Sequence, residues 1–131
     1  MDTSLSARPG VSVRRGADRH QTRISWLHGR HSFDTGIDPA GADTHHGVLV
    51  VSNHDTIAPR SGFDTHPHRN MEIVTWVLDG SLVHQDSEGH AGVNAGDAAR
   101  LTAAGERRLA AGEPSEVLIW EMHADLGPAT R

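Results

Sequence analysis

A chain of 131 residues, 36% of them hydrophobic with a further 14 Gly, is long enough for one packed domain and too apolar to be disordered throughout. Twelve basic against seventeen acidic residues leave a net charge of −5, and 4% aromatics offer few stacking surfaces, which argues against direct binding to nucleic acid. The sequence contains neither Lys nor Cys, so Schiff-base, thiolate, disulfide and iron–sulfur chemistry are excluded, whereas eleven His raise the expectation of a metal site.

The longest apolar run, Val48 to Val51, falls far short of the ~18 residues needed to span a membrane. No charged-then-apolar secretory pattern opens the sequence, and a cytoplasmic protein with no membrane partner is expected. Residues 1–22 carry no apolar period and read as an arm, ordered only if it docks; 23–124 read as a barrel and 125–131 as a tail. In chain order, runs at Ile24–Leu27, Val48–Ser52, Glu72–Leu78, Leu82–His84, Ala98–Thr102 and Val117–Met122 are each bounded by Gly, Pro, Asp or Asn. That spacing predicts an all-β sandwich or barrel. Asp79-Gly80 is a hairpin signal between two such runs, Ser87-Glu88-Gly89 and Asn94-Ala95-Gly96-Asp97 mark further turns, and segment 103–116 reads as a helical turn or a loop. The expected interior is Ile73, Val77, Leu78, Leu82, Leu101, Leu118 and Trp120, with Trp26 and Trp76 also assigned to the core or a barrel seam.

The segment from Gly62 to Glu72 carries the most chemistry. In an extended backbone residues i and i+2 share a face, so His66 and His68 would present two imidazoles side by side, with Pro67 stiffening the strand between them. Two neighbouring ring nitrogens can chelate one metal ion. An unbroken extended path would give Glu72 the same parity, completing a two-His, one-carboxylate facial set, whereas a bulge at Arg69-Asn70 would change its face. A bare pair of His two residues apart is equally compatible with two imidazoles hydrogen-bonded in a polar loop.

The run GFDTHPHRNMEIVTWVLDG from Gly62 to Gly80 resembles the first motif of the cupin barrel in its pirin version. The likeness continues in His31-Ser32-Phe33-Asp34, in Val51 to Pro59, in Leu82 to Ser87 and in Asn94 to Ala103, from about Ile24 to Gly105. The resemblance implies a single cupin domain, an antiparallel double-stranded β-helix or jelly-roll barrel, with His66 and His68 at the family's first two iron-ligand positions. Pirins usually carry two cupin domains, so this chain looks like the amino-terminal one. A surface left bare by the missing partner predicts a homodimer. On the family pattern the His-x-Glu pair that supplies the other two ligands is replaced by Leu109 and Ala111, neither of which has a donor atom.

Three metal arrangements remain open: a dead site, a weak site in which His66, His68, Glu72 and waters hold Fe, Ni or Zn, and a rearranged site that recruits His84 from the next strand. The reading adopted is a non-catalytic module that binds a small molecule or a protein partner. The alternative is a metal-dependent dioxygenase of the quercetin 2,3-dioxygenase type, with Glu72 as third ligand or as base.

Overall fold

The computed structural model describes residues 10–34, 41–65, 71–86, 89–102 and 107–123. Apart from one 3-10 turn at Gly16–Asp18, the described elements are strands: β1 His20–Ile24, β2 Leu27–His31, β3 Leu49–Ile57, β4 Gly62–Thr65, β5 Met71–Asp79, β6 Ser81–Asp86, β7 Gly89–Asn94, β8 Ala98–Leu101, β9 Arg107–Ala111 and β10 Ser115–His123. They form a six-stranded sheet in the order β1-β2-β3-β10-β5-β8 and a four-stranded sheet in the order β4-β9-β6-β7. Every pairing among them is antiparallel.

Three nine-residue strands, β3, β10 and β5, make the centre of the large sheet. Their β-branched residues suit a pleated surface, and alternation sends every second one inward. Ile57, Val77 and Val117 are thereby almost wholly buried, and Leu82, Val93, Leu109 and Ala111 meet them from the small sheet. Trp26 caps this core edge-on to Phe63, ring centroids 5.1 Å apart at 69°.

Several expectations change. Ile24–Leu27 is the β1–β2 hairpin itself, with Ser25-Trp26 as its turn, and pairing begins at His20, ahead of the barrel start read from the sequence. The Asp79-Gly80 turn does not close a hairpin: β5 and β6 lie in different sheets, and the chain crosses between them there. Gly80 is required at the crossing because its φ is +85° and a Cβ would strike the Pro114 carbonyl. Segment 103–116 contains a strand, β9, that its Arg, Ala and Gly composition conceals.

The interior is partly as expected. Val77 and Leu82 are buried, and Ile73 and Leu101 pair on the inner face. Leu78 (40% exposed) and Trp76 (45% exposed) instead lie outside. Leu118 and Trp120 are half-buried on the outer face, because Val117 and Ile119 hold the inward positions of β10. The hydrophobic pattern locates this strand but inverts its parity, since in Val117-Leu118-Ile119-Trp120 both faces are apolar and nothing in the pattern chooses between them.

Candidate functional site

Between β6–β7 and β8 the two sheets leave a cavity of about 370 Å³, lined by His84, Asp86, Val93, Ala99 and Leu101 among others. Its walls follow from register. Leu82, His84 and Asp86 alternate inward on β6, opposite Val93, Ala91 and Gly89 of β7, while Ala99 and Leu101 of β8 pair with Thr75 and Ile73 of β5. His84 Nε2 lies 2.9 Å from the Oγ1 of Thr75, a hydroxyl on a residue only 2% exposed, so one hydrogen bond ties the imidazole of the small sheet to the large one. The result is an open pocket in which His84, Gln85, Asp86, His90 and Arg100 share the walls with Ala91, Val93, Ala99 and Leu101.

The strand next to His84 is β9, and His84 pairs directly with Leu109 while Leu82 pairs with Ala111. Directly opposed residues share a face, so both β9 side chains point inward; they are 5% and 3% exposed. Phe63 of β4 flanks Leu109 from the other side. The wall beside His84 is therefore hydrocarbon.

His66 and His68 lie outside the described residues, as does Arg69-Asn70. Glu72 opens β5 with the parity of Val74 and Trp76, opposite to that of Thr75 and Val77, so the register sets it on the outer face of the large sheet, half-buried and paired with Met122. A ligand role for Glu72 would need β5 to leave this alternation. His84 does reach the inner wall. Among the described residues no three His, Cys, Asp or Glu side chains gather as a metal set. Among the described residues His84 is thus a single inward candidate donor of those read from the sequence, beside Leu109 and Ala111, which have no donor atom in their side chains.

Sequence reasoning missed Thr75, whose inward alternation with Val77 was the available signal, and it missed a second polar cluster behind β2 and β3. Asp55 is 2% exposed, and its Oδ1 has no hydrogen-bond partner among the described residues. Gly29, paired with it, leaves the needed room, since a Cβ there would lie 2.9 Å from that oxygen. Burial raises the Asp55 pKa to about 7, against the opposing pull of Arg30 and Arg19. Nearby, His31 Nδ1 and Nε2 are held by Asn53 Oδ1 at 3.1 Å and Thr22 Oγ1 at 2.9 Å, and burial lowers the His31 pKa. Two residues of the segment read as an arm make contacts here: Arg14 donates to Asp43 Oδ2 at 3.0 Å, and His20 Nε2 lies 2.8 Å from Asp34 Oδ1.

Two antiparallel sheets closed around an inward-facing histidine and a ligand-sized cavity define a cupin-type β-barrel. A family model described as Pirin matches residues 12–106. The chain belongs to the pirin family. A relative from Mycobacterium tuberculosis (strain H37Rv), provisionally named a quercetin 2,3-dioxygenase, is 59% identical over 83 residues, covering 63% of this chain and 34% of that protein. The Escherichia coli K12 protein named quercetin 2,3-dioxygenase is 38% identical over 82 residues, 61% of this chain and 35% of its own length. The matches thus span about a third of these relatives. Among solved structures, the bacterial pirin YhhW of Escherichia coli in complex with nickel(II) superposes with a TM-score of 0.75 at 30% identity, over 89% of this chain and 54% of that one.

Proposed function

We propose that this chain is a pirin-type cupin module that binds a small molecule in the cavity beside His84 without catalysing its oxidation. The observation that carries the reading is the seating of Leu109 and Ala111 on the inner wall beside His84 and Leu82. Continuing the pirin pattern past the matched residues 12–106 would put its His-x-Glu pair at these two positions, where this chain offers packing and no lone pairs. A ligand set so depleted weakens metal affinity by more than the ~10–100-fold that follows loss of a group that merely orients a ligand. What survives is a binding pocket: Val93, Ala99 and Leu101 supply contact area, and His84 and Asp86 supply hydrogen bonding that orients a polar edge of the ligand.

The second reading, a metal-dependent dioxygenase, is favoured by the inward position of His84 and by the quercetin 2,3-dioxygenase names of the relatives. In it, His66 and His68 would be ligands alongside water or His84. Metal loading separates the two. After anaerobic reconstitution with Fe(II) or Ni(II) and removal of excess ion, elemental analysis is expected to find less than about 0.1 metal per chain. Near-stoichiometric metal that is lost in His66→Ala, together with O₂ uptake on adding a flavonol, would overturn the module reading.

A further inference from the structure

The inner face of β1, β2 and β3 carries a hydrogen-bonded relay that the cavity beside His84 does not use. Register places it: His20, His31, Asn53, Ile119 and Thr75 oppose one another across successive strands, and Thr22, Gly29, Asp55 and Val117 form the neighbouring row. Val117 and Ile119 point into the core, so both rows face inward. His31 Nδ1 lies 3.1 Å from Asn53 Oδ1, and His31 Nε2 lies 2.9 Å from Thr22 Oγ1. An amide oxygen only accepts, so Nδ1 carries the ring proton and the Nε2 lone pair is left to accept from the Thr22 hydroxyl. The imidazole is thereby held in the tautomer and direction that a general base for Thr22 needs, and burial, which lowers the His31 pKa, keeps it neutral near pH 7. A hydroxyl, an imidazole and an amide at these separations are the nucleophile, base and orienting group of covalent catalysis, a set recognised by geometry and not by chain order.

Further features separate the relay from a bridge that only ties strands together. Gly29, directly opposite Thr22, puts no side chain between Thr22 and Asp55. A Cβ there would lie 3.3 Å from His31 Nε2, so the imidazole edge beside the hydroxyl lies over the Gly29 backbone. Thr22 and His31 are half-buried and not enclosed. On β1, an edge strand, alternation from the Ile24–Leu27 pair that closes the hairpin turns the N–H groups of Gln21 and Arg23 away from β2, on either side of Thr22. They supply donors for a negative oxygen formed beside that hydroxyl.

We propose that Thr22, His31 and Asn53 hydrolyse a small carboxylic ester, with Thr22 as nucleophile, His31 as general base and Asn53 as the positioning residue. Thr22 Oγ1 bonds to the ester carbonyl carbon while its proton passes to His31 Nε2. The bond from that carbon to the alcohol oxygen breaks, and the alcohol leaves with the proton. Water then attacks the acyl group on Thr22 and yields a proton to Nε2, and the carboxylic acid departs as that proton returns to Oγ1. No group of the His84 cavity takes part, so the activity does not depend on ligand binding there.

The test is hydrolysis of p-nitrophenyl acetate by the full chain in the presence of a chelator. Saturable turnover is expected, with an acetyl group found on Thr22 by peptide mass spectrometry after acid quenching. Thr22→Val removes the hydroxyl at similar volume and should lower kcat about 100-fold or more, and Thr22→Ser, which returns it, should recover turnover. Asn53→Ala should lower kcat about tenfold with KM unchanged, the split expected of a group that only aims the imidazole. Each variant is assayed at a temperature below its own thermal transition. A rate that rises linearly with ester and is the same in Thr22→Val would be the work of surface imidazoles and would overturn the proposal. So would acetylation confined to other residues, turnover present only when the chelator is left out, or no turnover at all.

Discussion

Asp55 is a buried carboxyl, one oxygen of which has no hydrogen-bond partner among the described residues, and its consequence is a pH dependence of stability. A carboxyl raised from 3.8 to about 7 in the folded state binds its proton more tightly there than in the unfolded chain. The sign follows: its contribution is fully present below pH 4 and is lost as pH rises through 7. Replacement by Asn keeps the shape and removes the titration. The difference in unfolding free energy between Asp55→Asn and wild type should therefore move in the variant's favour between pH 4 and pH 8, by on the order of 3 kcal/mol. Paired urea denaturation curves across that range would measure it, and a flat difference would show that Asp55 is ionised and compensated in the fold. Thr75 makes a second test at this scale. Thr75→Val preserves volume but leaves His84 Nε2 without its buried hydroxyl partner, at an expected cost of about 1–3 kcal/mol in the same curves.

Among the elements, the crossing at Gly80 is the position where one residue type decides the path between sheets. Gly80→Ala would force a Cβ into the left-handed region and against the Pro114 carbonyl and Ser115, whose buried Oγ accepts from Ser81 N at 3.1 Å. A loss of about 2 kcal/mol or more is expected, visible as a lower melting temperature, whereas Gly92→Ala, where no described residue comes within 4 Å, should be nearly silent. The contrast between these two glycines shows what the sequence does and does not disclose. Asp-Gly announces a turn correctly, because positive φ is a local demand; whether the following strand pairs with the preceding one or leaves for the other sheet is set by contacts with β9 and β10, dozens of residues away. β9 is illegible for the same reason. Arg107-Arg108-Leu109-Ala110-Ala111 has one bulky apolar residue, and it is a strand because β4 and β6 pair with it on both sides. His84 is legible as a cavity residue through its alternation along β6, and the exposed side of Trp76 is not, since a Trp in a strand is ordinarily packed inside.

At the scale of the whole molecule the two sheets share a modest core. Leu82 and Val93 of the small sheet, with Leu109 and Ala111, meet Leu27, Ile57, Val77 and Val117 across it. Against a typical folding free energy of only ~5–15 kcal/mol, a polar substitution at either β9 position should be felt by the entire fold, at about 2–5 kcal/mol when its new groups lack partners. Leu109→His with Ala111→Glu is such a change, and it also supplies inward donor groups beside His84. The double variant should thus melt below wild type in metal-free buffer and recover on adding Ni(II), because an ion bound only by the folded state at about a hundred times its Kd stabilises by about 2.7 kcal/mol, several degrees for a domain of this length. Wild type should melt at the same temperature with Ni(II) as with a chelator. Differential scanning fluorimetry on both proteins measures the pair of outcomes. A wild-type transition that falls on chelation would mean that the barrel holds a metal despite its apolar wall, and a double variant indifferent to Ni(II) would mean that Leu109 and Ala111 do not stand where a metal-holding pair could act.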